Sequence, residues 1–122
     1  MPNTQQHLIR AKQNLEFAKL FDLQSTPYFD WVVVAYFYAA LHLVDALLYE
    51  KEKIDPSRHE LRRNYVREKW YLRGIKYEYF ELKDRSEDAR YRLLPLTPAK
   101  VEHEIIPLYR AIEAHILRQL PD

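Results

Sequence analysis

The chain has 122 residues, one glycine, seven prolines, no cysteine and a formal charge of +1. That length suits one domain with a genuine core, 1–122, and the lack of cysteine excludes disulfides, thiolate zinc sites and cysteine nucleophiles. A charge near zero leaves no global field for nucleic acid or anionic lipid, so any such binding has to come from a local patch.

The composition, rich in Leu, Ala, Glu, Lys, Arg and Tyr, favours helices. A first amphipathic helix is expected over about Thr4 to Asp22, with Leu8, Ala11, Leu15 and Ala18 on one stripe. Thr26-Pro27 reads as a cap followed by proline in the first helical turn, opening a second helix to about Glu50. This helix is apolar on nearly every side. Trp31 to Tyr49 is long enough to span a bilayer, but His42 and Asp45 would then lie deep in hydrocarbon, and the charges after it are balanced. We therefore expect a central core helix and no membrane.

Asp55-Pro56 repeats the cap signal and opens a third helix to about Trp70, with Gly74 as the break. A fourth, about Ile75 to Leu93, carries Ile75, Tyr79, Leu82, Ser86 and Ala89 inward and ends at Pro95. Thr97-Pro98 opens the fifth, with Val101, Ile105, Leu108, Ile112 and Ile116 inward and a kink expected at Pro107. The expected fold is an all-α, up-down bundle of about five helices.

Three groups of residues could carry chemistry. Tyr38, His42 and Asp45 stand at four- and three-residue spacing on one face of the central helix. His42 there either fixes how helices dock or acts as a general acid or base. Arg58, His59, Arg62, Arg63 and Arg67 form a basic run at the start of the third helix, either a phosphate-binding patch or a solvated face balanced by Glu60 and Glu68. Arg90 and Tyr91 end the fourth helix, suited to structural pairing or to a ligand. The aromatics interleaved with cations over 69–80 fit a core, a dimer seam or base stacking. His7, His103 and His115 show no pair at metal-ligand spacing, and no glycine-rich phosphate loop or nucleophile elbow occurs. Neither a metal nor another cofactor is expected, and the polar N-terminus lacks a secretion signal, so a cytoplasmic location is expected.

Asp30-Trp31, the run 36–42, Ser57 to Arg62 and Ala89-Arg90-Tyr91 together resemble the HEPN superfamily of small helical proteins over roughly residues 5–118. The resemblance implies a dimerising bundle found in ribonuclease toxins, phage-defence effectors and noncatalytic partners of nucleotidyltransferases. Catalytic members would carry an arginine and, after a gap of about four to six residues, a histidine near the end of the penultimate helix. Arg90 matches the arginine, but Pro95, Leu96 and Thr97 stand where the histidine should fall. Arg110 and His115 have the spacing, in the last helix instead.

The expected function is thus a binding or regulatory module in a nucleic-acid-linked defence or toxin–antitoxin pathway, with a homodimer, RNA or a protein such as a nucleotidyltransferase as partner. The alternatives are a metal-independent endoribonuclease and a purely structural interaction domain. A catalytic site would use His42, His59 and Arg90, with Tyr38, Asp45 and Tyr91 behind them and Arg58, Arg62, Arg63 and Arg67 holding phosphate. It requires the second, third and fourth helices to converge.

Overall fold

The computed structural model describes residues 2–92 and 96–121, and the side chains of all of these except Arg92. The described residues are helical and contain no strand: α1 (Thr4–Lys19), α2 (Phe29–Glu52), α3 (His59–Glu68), a 3₁₀ segment (Trp70–Ile75), α4 (Lys76–Glu87), α5 (Pro98–Lys100) and α6 (Ile106–Leu117). Wider π turns cover Asp88–Arg92, continuing α4, and Val101–Ile105, joining α5 to α6. With α5 and α6 read as one rod, this is the expected five-helix, all-α bundle.

The pattern of α2 explains its position. Fourteen of its 24 residues are buried, because a helix apolar on all sides has to be enclosed. α1 lies along it, and α4, α6 and the two π turns close the other sides. Among the described residues α2 is the one helix long and apolar enough to cross a membrane, yet 78% of that apolar window is covered by the rest of the chain. Its C-terminus closes on Lys53, which adopts φ 57° and donates its N–H to Tyr49 O at 2.9 Å. The inward residues expected for the fourth helix are all buried, as are Val101, Ile105, Ile112 and Ile116 of the fifth; Leu108 is half-buried.

Helix starts differ from expectation where a side chain has another partner. Thr26 Oγ1 accepts from the Tyr28 N–H at 3.0 Å, two residues too early to cap, and α2 begins at Phe29. Asp55 is engaged by His7 at 2.9 Å, and α3 begins at His59 with no side-chain cap. Thr97 does cap, accepting from the Lys100 N–H at 3.1 Å. α1 stops at Lys19 rather than Asp22, because the Asp22 side chain accepts from the Gln24 N–H at 3.0 Å and forms a turn of its own.

Gly74 lies within the 3₁₀ segment rather than ending a helix, and its φ is ordinary. Its role is close approach: a Cβ there would meet His115 Cε1 at 2.6 Å. At Pro107, where a kink is expected, the helix widens over Val101–Ile105 ahead of the proline: the Ile106 N–H reaches back to Val101 O, and Pro107, with no N–H to donate, follows at the start of α6. The expected end of the fourth helix at Leu93 and Pro95 lies outside the described residues.

Candidate functional site

Tyr38, His42 and Asp45 project from one side of α2 toward α1, α3 and the π turn after α4. Asp45 is 1% exposed. Burial raises its carboxyl above the ordinary value, against the pull of a guanidinium. That guanidinium belongs to Arg62, whose Nε and Nη2 donate to Asp45 Oδ1 and Oδ2 at 2.7 and 2.9 Å. Nη2 also donates to Pro56 O at 3.2 Å, which ties down the loop before α3. A two-pronged arginine–carboxylate pair is the arrangement best able to repay the desolvation of both ions.

The basic run of α3 is therefore divided by the helix itself. Arg62 is 6% exposed and belongs to the interior, which corrects its expected place on a phosphate-binding face. Val66, one turn later, is buried beside it on the same stripe. Arg58 and Arg67 remain exposed, the latter 5.2 Å from the Phe80 ring, and Arg63 is half-buried, its buried Nε without a partner among the described residues.

His59 extends the pair outward. Its Nδ1 lies 3.3 Å from Arg62 Nη1, and its ring stacks on Phe37 and meets Tyr38 edge-on, both at 6.4 Å between centroids. Burial, then the positive charges of Arg62, Lys83 and Arg90, push its pKa down, while Glu87, which pairs with Lys83, pushes it up. Arg90, carried by the π turn, completes the group. Its guanidinium carbon lies 6.0 Å from the Tyr38 ring and 5.2 Å from the Tyr91 ring; Nη1 donates to Tyr38 Oη at 3.4 Å, and its buried Nε has no partner among the described residues. Tyr91 is 75% exposed. The second, third and fourth helices do converge, on Tyr38, Asp45, His59, Arg62 and Arg90.

His42, on the same side of α2, turns toward α1. Its Nδ1 is 3.2 Å from Nδ1 of His7, on α1, and His7 Nε2 is 2.9 Å from Asp55 Oδ1. A carboxylate only accepts, so His7 donates to Asp55 and one proton is shared between the two Nδ1 atoms. Burial, together with the charges of His7, Arg62 and Arg10, pushes His42 down to about 4, so the ring is neutral at pH 7. His7 and His42 also line an open pocket of about 440 Å³ beside the first turns of α1.

His7 and Asp55 are the members of this cluster that spacing along the chain does not find. The available signal was a histidine in the same α1 stripe as Ala11 and Ala18, where it is 4% exposed. Arg110 and His115 are separately engaged: Arg110 pairs with Glu113 at 3.1 Å and His115 Nε2 donates to Tyr71 O at 2.9 Å. Of the interleaved aromatics, Tyr71 and Tyr79 are core residues, whereas Trp70 and Tyr77 stand outside. Comparison of the chain with protein-family models, curated proteins and solved structures returns no match.

Proposed function

We propose that this chain is a HEPN-like helical module, cytoplasmic and dimeric, that binds RNA where α2, α3 and the π turn after α4 meet. The observation that carries the reading is Arg90, whose guanidinium lies against the Tyr38 and Tyr91 rings. A guanidinium fixed by two phenol faces is prepared to fork a phosphate, and an exposed phenol beside it can stack on a base. Arg58 and Arg67, outward from α3, extend the cationic surface. Binding rather than cleavage follows from the residues after Arg90, where the resemblance demands a histidine and the chain has Pro95, Leu96 and Thr97. Such a module would serve a defence or toxin–antitoxin pathway, with a second copy or a nucleotidyltransferase as its protein partner.

One observation favours endoribonuclease activity as a second reading. Burial, then the charges of Arg62, Lys83 and Arg90, hold His59 below its ordinary pKa and so favour the neutral imidazole. It could take the proton of a ribose 2′-hydroxyl while Arg90 stabilises charge on the attacked phosphorus oxygens. A mixed pool of structured and single-stranded RNAs separates the readings. Anisotropy of labelled RNA is expected to show saturable, salt-sensitive binding that Arg90→Ala weakens about tenfold, the worth of one charged hydrogen bond. In EDTA no cleavage is expected; cleavage abolished by both His59→Ala and Arg90→Ala would replace the binding reading, and absence of both binding and cleavage would defeat the two together.

A further inference from the structure

The His7–His42 contact lies outside the RNA surface and has a geometry of its own. Two histidine nitrogens on a tetrahedral zinc-type ion, each about 2.0–2.1 Å from it, stand about 3.3 Å apart. The two Nδ1 atoms are already separated by 3.2 Å. An oxygen of Asp45 lies within 4.8 Å of both histidines' ligating atoms. The fork of Arg62 uses one lone pair on each Asp45 oxygen, and a carboxylate has about four, so the same group retains capacity for a cation. Asp55 on the far nitrogen of His7 supplies the carboxylate–histidine contact that orients metal-bound imidazoles. Of the cations facing His42, Arg10 and Arg62, the latter is paired with Asp45, and Asp55 acts on His42 in the opposite sense.

We propose that His7, His42 and Asp45 form a binding site for a divalent cation of the zinc class, with Asp55 as a positioning residue and the fourth place open to the adjoining pocket. The cation displaces the proton shared by the two Nδ1 atoms and sits about 1.3 Å to the side of the line joining them, where each Zn–N bond reaches about 2.0–2.1 Å, and that proton moves to Nε2 of His42. Asp45 has to approach by about an ångström or more to reach a bonding distance near 2 Å. The donor set of two imidazoles and a carboxylate suits zinc and disfavours magnesium or calcium, which take oxygen ligands. Three protein ligands leave the coordination that zinc sites with an exchangeable water possess. Because His7 comes from α1 and the other two ligands from α2, the ion clips those helices together.

The test uses the full, tag-free chain stripped with chelator. Calorimetric titration with zinc chloride is expected to give one equivalent per chain, and cobalt is expected to give the intense visible bands of a tetrahedral ion. His42→Ala, verified as helical by circular dichroism, should lose both, and exposed His103→Ala should keep both. Asp55→Asn should weaken zinc about 10- to 100-fold while keeping the tetrahedral bands. Should His42→Ala fail to fold, nitrogen NMR of the wild-type imidazoles decides: zinc is expected to shift Nδ1 of His7 and His42. Absence of stoichiometric binding, binding that survives His42→Ala, or shifts confined to His59, His103 or His115 would overturn the proposal.

Discussion

Asp45 and Arg62 define each other. Deleting the carboxylate leaves a guanidinium 6% exposed without its ion-pair partner, so Asp45→Ala is expected to cost about 3–5 kcal/mol in urea unfolding, the range for breaking a buried pair; a loss below about 1 kcal/mol would mean that Arg62 escapes to solvent. His42 gives a pH dependence of definite sign. Its folded pKa of about 4 lies below the ordinary 6.5, so the folded state holds fewer protons between those values. Its contribution is complete above pH 6.5 and is lost as pH falls toward 4. The ring is half-exposed, so screening limits the loss to on the order of 1–2 kcal/mol. Unfolding midpoints from pH 7 to 4 should therefore fall less steeply in His42→Gln than in the wild type, and equal slopes would refute the assignment. At this scale the sequence shows the Tyr38, His42 and Asp45 face, because helical spacing fixes it. It does not show the inward turn of Arg62, since a run of arginines reads the same whichever one the helix buries, and only Val66 four residues on marks the stripe.

At the scale of elements, one local signal had three outcomes. Thr26, Asp55 and Thr97 all precede proline, and Thr97 alone caps a helix, because Asp55 has a stronger partner 48 residues away in His7 and Thr26 closes a turn instead. Such competition is set by tertiary structure and is invisible in the dipeptide. Thr97→Ala is expected to lower stability by about 1 kcal/mol, measured by thermal unfolding. Gly74→Ala should cost more, about 1–3 kcal/mol, because the new methyl meets an imidazole that Tyr71 O holds in place. Relief of that cost in Gly74→Ala/His115→Ala, relative to the sum of the single changes, would identify the clash as its source. Helix existence and inward faces were legible from periodicity; the π turns at Asp88–Arg92 and Val101–Ile105 were not, because one extra residue in a turn barely changes the apolar rhythm.

Across the whole molecule, the bundle follows from α2, whose apolar surface on all sides obliges the other helices to surround it. The convergence of three helices on Tyr38, His59 and Arg90 depends on that enclosure and could not be read from positions along the chain. If this face binds RNA, lowering salt should strengthen binding, and the slope of log affinity against log salt should fall by about one in Arg58→Ala or Arg67→Ala, with folding unchanged. A salt-independent affinity would point to apolar association instead.

Asp45 stands between the two groups, holding Arg62 on one side and lying close to His7 and His42 on the other. A cation drawing on this carboxylate would loosen its grip on Arg62, and with it the seat of His59. The two ligands would then be thermodynamically linked, and linkage is symmetric. By whatever factor zinc changes the dissociation constant for RNA, RNA has to change that for zinc by the same factor. Closing that cycle by titrating each ligand in the presence of the other would measure, in one free energy, how far a single buried carboxylate carries information through the bundle.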